Sequence, residues 1–147
     1  AIKLEGANET NYQIIKRLTE TGIPVMGHIG LMPQSVHAQG GYFKHGKTQD
    51  EQNRLLTEAL ALQSAGCFAI VLECVEEVSA TNISKQLTIP TIGIGSGPNC
   101  DGQVLVLNDL LGLTEKTPGF VTPLGNLYQA KKDIIETYLS KSHDTYN

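Results

Sequence analysis

The stretch "IVLECVEE" ends an apolar run on an acid: Ile70, Val71 and Leu72 lead straight into Glu73. β-formers in that order read as a buried strand. An unpaired carboxylate buried there costs about several kcal/mol of lost hydration or takes up a proton. Partial desolvation also pushes a glutamate pKa up towards neutrality, where a general base works best. Glu73 is therefore the candidate base, and the competing reading is an acid paired with Lys3 or Arg54 for stability. Glu76 and Glu77 read instead as a solvated helix start, where acids suit the dipole.

Lys3 and Glu5 alternate along a short strand and so point to one side of it. They form either a structural ion pair or a functional one. In the functional reading the lysine stabilises an oxyanion and the carboxylate positions a metal and its waters. His28 stands between Gly27 and Gly30 at a strand end, where the glycines permit close approach of a ligand. It is either a site residue or an imidazole held by a neighbouring carbonyl. His37 and His45 sit among Gly40, Gly41 and Gly46 without HxxxH or HExxH spacing, as loop or lid residues rather than metal ligands. "IGIGSGPNCDGQ" matches neither GxGxxG nor a P-loop and reads as a tight backbone turn lining a small-acid pocket.

The elements that carry these residues alternate. Strands are expected at Ile2 to Leu4, Ile23 to Gly30, "CFAIVLEC" and "PTIGIGSG". Helices are expected at about Glu9 to Thr21, through "QDEQNRLLTEALALQSAG", at about Glu76 to Leu87, and at Leu127 to Ser140. Tyr12, Ile15 and Leu18 share a face of the first helix. Leu55, Leu56, Ala59, Leu60 and Leu62 form the stripe of the second, with Asp50 as its candidate cap. The strands lack polar alternation, which suits a parallel sheet buried on both faces. The class is α/β, either an open doubly wound sheet or part of a (β/α)8 barrel. In both, functional groups collect at the carboxyl ends of the strands, and each polar intrusion above falls at such an end.

Bulk properties exclude several classes. The 147 residues suffice for one modest domain, and the net charge of −4 leaves no footprint for nucleic acid or an anionic membrane. No apolar run is long enough to span a bilayer, and no basic n-region followed by an apolar h-region is visible in the first residues, so no secretory signal is expected from them. Cys67, Cys74 and Cys100 are odd in number and lack CxxC spacing, as expected of reduced, buried thiols in a cytosol-like compartment.

In combination, "KLEG", "PVMGHIGLMPQSVHAQGGY", "LLTEALALQSAGCFAIVLECV" and "IPTIGIGSGPNCDGQVLVLNDLLGL" resemble the ketopantoate hydroxymethyltransferase family, collinearly from Ile2 to Leu113. The resemblance implies a (β/α)8 TIM barrel. It also implies Mg²⁺-dependent transfer of a hydroxymethyl group from 5,10-methylenetetrahydrofolate to 3-methyl-2-oxobutanoate, giving 2-dehydropantoate. It makes Glu73 the base that removes the C3 proton and Lys3 the cation that stabilises the enolate oxygen. Glu5 would act on Mg²⁺, directly or through water, and His28 would belong to the substrate pocket. Closure of the segment around Gly40 to Gly46 would exclude water. A homo-oligomer in the cytoplasm, or in mitochondria for a eukaryotic copy, is the matching expectation.

A complete barrel takes roughly 250 residues, whereas this chain supplies about the last four βα units. Residues 1–147 are thus expected to be the C-terminal half of one catalytic domain, with 113–126 as linker and 127–140 as terminal helix. The metal-binding aspartates would lie in the absent N-terminal half, since Asp50, Asp101 and Asp109 fall away from the strand ends. Two other readings stay open. One is another Mg²⁺-dependent enolate-forming barrel of the phosphoenolpyruvate mutase kind. The other is a half-barrel that serves only as an oligomerisation or partner-binding module.

Overall fold

Strand order follows chain order. In a computed structural model, which describes residues 1–35 and 43–145, five parallel strands pair as β1-β2-β3-β4-β5. They are β1 (Ile2–Glu5), β2 (Val25–Gly30), β3 (Ala69–Glu73), β4 (Thr91–Ile94) and β5 (Gly102–Gln103). A doubly wound sheet reverses its order at a switch point, and this one never does. Right-handed crossovers in one unbroken direction place every connecting helix on the same face, as in an arc of a (β/α)8 barrel. Strand β5 was not expected from the sequence, because Gly102 and Gln103 carry no β-forming signal.

The helices of the first compact unit, Ala1–Val104, are α1 (Glu9–Glu20), α2 (Gln49–Ser64) and α3 (Glu77–Gln86). Asn8 caps α1 by accepting from the Asn11 amide at 3.0 Å. The cap of α2 is Thr48 and not Asp50: the Thr48 hydroxyl accepts from the Glu51 amide, while the Glu51 carboxylate takes the Lys47 amide. This is a variant of the reciprocal Thr-x-x-Glu arrangement that satisfies two orphan donors at once, and Asp50 falls in the first turn. Of the expected α2 stripe, Leu55, Ala59 and Leu62 are buried, but Leu60 remains 36% exposed because it sits off that line of the helix.

Register decides which residues share a face. The pairs Gly27↔Ile70, Ile29↔Leu72, Ile70↔Thr91 and Leu72↔Gly93 put Val25, Ile29, Ile70 and Leu72 towards the helices. There they pack with Ile15, Leu55, Ala59, Leu62, Ala80 and Ile83. The pairs Lys3↔Met26, Glu5↔His28, His28↔Val71 and Gly30↔Glu73 put Lys3, Glu5, His28 and Glu73 on the opposite face. Burial on both faces holds for β2 and β3 but not for β1, whose Ile2 is exposed, since β1 is an edge of the sheet.

The second unit, Leu105–Asn147, contains α4 (Leu107–Leu110) and α5 (Leu127–Thr145). The segment between them folds back on α4, with Leu124 N–H donating to the Leu110 carbonyl and Tyr128 N–H to that of Gly112. Helix α5 exposes Ile134, Ile135, Tyr138 and Leu139. No described helix is long and apolar enough to cross a membrane.

Candidate active site

Three neighbouring strands deliver four candidate side chains to one end of one face. Lys3 Nζ donates to Glu5 Oε1 at 3.2 Å and to His28 Nδ1 at 3.0 Å. The other ring nitrogen, Nε2, lies 2.8 Å from the Leu31 carbonyl oxygen and 3.4 Å from Glu73 Oε2. An ammonium has only donors and a carbonyl only accepts, so the ring is fixed as the neutral Nε2–H tautomer. The contact with Glu73 is therefore polar rather than an ion pair. Burial, at 2% exposure, lowers the His28 pKa, and the Lys3 charge adds to this against the opposing Leu31 carbonyl and Glu5.

Glu73 has its pKa raised, first by burial and then by repulsion from Glu5, with Lys3 opposing. It does not pair with Arg54, which bonds Glu58 at 3.2 Å along α2. Its position depends on close approach of β2: a Cβ on Gly30 would collide with the Glu73 carbonyl oxygen, and Gly30 adopts φ +94°. Leu31 N–H donates to that same carbonyl at 2.8 Å. Only glycine allows both the left-handed turn and the contact.

Both carboxylate oxygens of Glu5 have a partner. Oε1 accepts from Lys3 and Oε2 accepts from the Gln34 amide at 3.2 Å. Asn11 clamps the turn after it, donating to the carbonyls of Glu5 and Gly6 at 3.0 Å each. Neither the Gln34 amide nor Asn11 carried a sequence signal, since a backbone N–H and a mid-helix Asn look like any other. Ser96, inside the glycine-rich turn, is buried and reaches the end of β3, a role that reading the turn as a pocket lining missed.

The other candidates stand apart. His37 and positions 40–42 of the expected lid lie outside the described residues. His45 follows them and is buried beside Phe43, with its Nε2 unpaired among the described residues. It borders a cavity of about 280 Å³ with Glu5, Asn8, Met32 and Arg54, between the β1–α1 turn and α2. Asp101 anchors Thr91 at the amino end of β4, away from the cluster, and Asp109 lies in α4. The cysteines are free thiols, and burial pushes Cys67 up to about 11, so it behaves as a small hydrophobe. No group of three His, Cys, Asp or Glu side chains able to hold a metal occurs among the described residues. Mg²⁺ takes about six oxygen ligands, and Glu5 with Glu73 supplies too few of them, so these residues alone do not make an Mg²⁺ site.

Consecutive parallel βα units with titratable groups gathered at their carboxyl ends, on the face away from the helices, define a segment of a (β/α)8 barrel and its functional end. The ketopantoate hydroxymethyltransferase family model matches residues 1–146, and the chain belongs to that family. Curated relatives named 3-methyl-2-oxobutanoate hydroxymethyltransferase include one from Anaeromyxobacter dehalogenans, 51% identical over 96% of this chain and 46% of its own length. Another, from Trichodesmium erythraeum, is 52% identical over 94% and 52%. A third, from Synechococcus elongatus, is 51% identical over 98% and 53%. The chain thus spans about half the length of the curated relatives it matches.

Proposed function

We propose that this chain is the C-terminal half of a single barrel domain that transfers a hydroxymethyl group to C3 of 3-methyl-2-oxobutanoate, in pantothenate biosynthesis. The donor is 5,10-methylenetetrahydrofolate and the product is 2-dehydropantoate. The observation that carries the reading is the convergence of Lys3, His28 and Glu73 on one face, in a chain whose relatives bear that enzyme's name.

Glu73 removes the C3 proton, a step suited to a carboxylate whose burial raises its basicity. The electron pair moves onto the keto oxygen. Lys3 meets that oxygen with the N–H not directed at Glu5 or His28, placing positive charge where negative charge grows. Water breaks both C–N bonds of the one-carbon unit, which leaves tetrahydrofolate and formaldehyde; C3 then adds to the formaldehyde carbon, and the resulting alkoxide takes up a proton to become the hydroxyl. His28 serves the substrate pocket by holding Lys3 in place. Mg²⁺ in the complete barrel would polarise the keto oxygen; Glu5 would act on it directly or through water, and the remaining ligands would come from beyond this chain. The apolar side chains exposed on α5 suit a homo-oligomer, and the cytoplasm is the proposed compartment.

The test is Mg²⁺-dependent deuterium uptake at C3 of 3-methyl-2-oxobutanoate, followed by NMR, with this chain joined to the first half of the barrel. Uptake by the wild type and none by Glu73→Gln is expected. Unchanged uptake in Glu73→Gln overturns the assignment of the base. No uptake by a folded, completed barrel leaves the half-barrel module as the better reading.

A further inference from the structure

We propose that Ser96 is a positioning residue for Glu73, its buried hydroxyl bridging the backbone on either side of the acid. The inference rests on the reading of Glu73 as the base. Strand β3 ends at Glu73, and the next residue, Cys74, takes φ +50° as the one non-glycine left-handed residue among those described. An L-residue persists there only when its surroundings fix it.

The fixing groups surround the turn. Cys74 N–H donates to the Ile94 carbonyl at 2.9 Å, and the Cys74 carbonyl accepts from His45 N–H at 2.8 Å. Ser96 is the side chain that straddles it: Oγ donates to the Leu72 carbonyl at 2.7 Å and accepts from Val75 N–H at 3.0 Å. Leu72, Val75 and Ser96 are each at most 1% exposed, so no bulk water replaces those bonds. Gly95 and Gly97, at φ +65° and +81°, bend the chain so that the hydroxyl enters the end of β3. A Cβ on Gly97 would come within 2.6 Å of Glu77 Cγ. The serine between the glycines thus faces into the protein and holds the segment that carries the base.

A base must sit in line with the C–H bond it breaks, and a misplacement of about 1 Å costs on the order of 10²-fold. Lys3, on another strand, is not attached to this turn. Removing the hydroxyl should therefore lower kcat and leave KM for the oxo acid nearly alone.

Two measurements test this. On the chain itself, nuclear Overhauser contacts between the Glu73 side chain and the His28 ring should weaken in Ser96→Ala, while those between Ile70 and Leu62 persist. Retained Glu73–His28 contacts overturn the proposal whether or not the chain is part of a transferase. In the completed barrel, Ser96→Ala should lower kcat for C3 exchange by about tenfold or more, with KM changed less than about twofold. Adding Cys74→Gly, which accepts a positive φ freely, should recover part of the loss. A kcat that falls only with the folded fraction overturns the proposal, as does an unchanged kcat. Should Ser96→Ala not fold, Ser96→Cys, which keeps the size of the side chain and weakens both hydrogen bonds, and Ser96→Ala/Cys74→Gly undergo the same two measurements, with losses in the same direction expected and their absence overturning the proposal.

Discussion

Lys3 and the Leu31 carbonyl together fix the tautomer of His28. The 3.0 Å contact between Nζ and Nδ1 exists only if the ring nitrogen is unprotonated, and the Leu31 carbonyl at 2.8 Å requires the hydrogen on Nε2. A neutral His28 thus holds the ammonium by a hydrogen bond and adds no competing charge at the place where an enolate oxygen would form. Nitrogen-15 NMR should show the Nε2–H tautomer at pH 7 and a titration below the ordinary histidine range, because burial and Lys3 both disfavour the imidazolium. In Lys3→Met the loss of the nearby charge should raise that midpoint. A charged ring at neutral pH, or an Nδ1–H tautomer, would sink the arrangement.

Glu73 is placed at a cost to stability. Its raised pKa means that the folded protein holds the proton more tightly than the unfolded chain does. The destabilisation is therefore fully present above the folded pKa and is relieved as pH falls towards 4.5. Glu73→Gln should raise the thermal midpoint at pH 7, raise it less near pH 4.5, and abolish C3 exchange. A variant that loses stability equally at both pH values would mean that the carboxylate is structural.

Gly30 sets how closely β2 approaches the end of β3. Gly30→Ala combines a left-handed φ with a collision against the Glu73 carbonyl, and should destabilise by about 1–3 kcal/mol. Gly119→Ala, at a position with open space and no positive φ, should stay within about 0.5 kcal/mol of wild type. Denaturant midpoints compare the two, and equal effects would contradict the close approach.

Much of this was legible in the residues. The strand–helix alternation and the polar side chains at strand ends suffice to expect Lys3, Glu5, His28 and Glu73 at one end of the sheet, because period and residue type carry that information. Partners were not legible. That Glu73 lies beside His28 rather than Arg54 depends on register, and a register is a property of two strands, not of one. The Thr48 cap was readable, since Thr-x-x-Glu stood in the sequence beside the more obvious Asp50. Ser96 was visible too, but only its flanking glycines drew a reading, and nothing local says that its hydroxyl faces inwards.

His45 gives the molecule an acid-sensitive element outside the cluster. The ring is buried at 5% exposure and stacks 4.5 Å from Phe43, with Nε2 unpaired among the described residues. Burial lowers its pKa, with Arg54 and Lys47 in the same direction and Glu51 opposing. The unfolded chain takes up its proton at the ordinary value of 6.5 and the folded chain does so only lower. The titration of His45 therefore costs nothing above pH 6.5, and stability falls as pH drops from there towards the folded pKa. His28 acts with the same sign, while Glu58 and Glu73, both raised, act oppositely towards pH 4.5. A variant isolates the one group: His45→Phe keeps an aromatic ring against Phe43 and removes both the titration and the unpaired nitrogen. Its stability relative to wild type should increase steadily between pH 7 and pH 5 in urea unfolding. A difference that stays constant across that range would show that His45 takes up its proton in the folded state as easily as in the unfolded one.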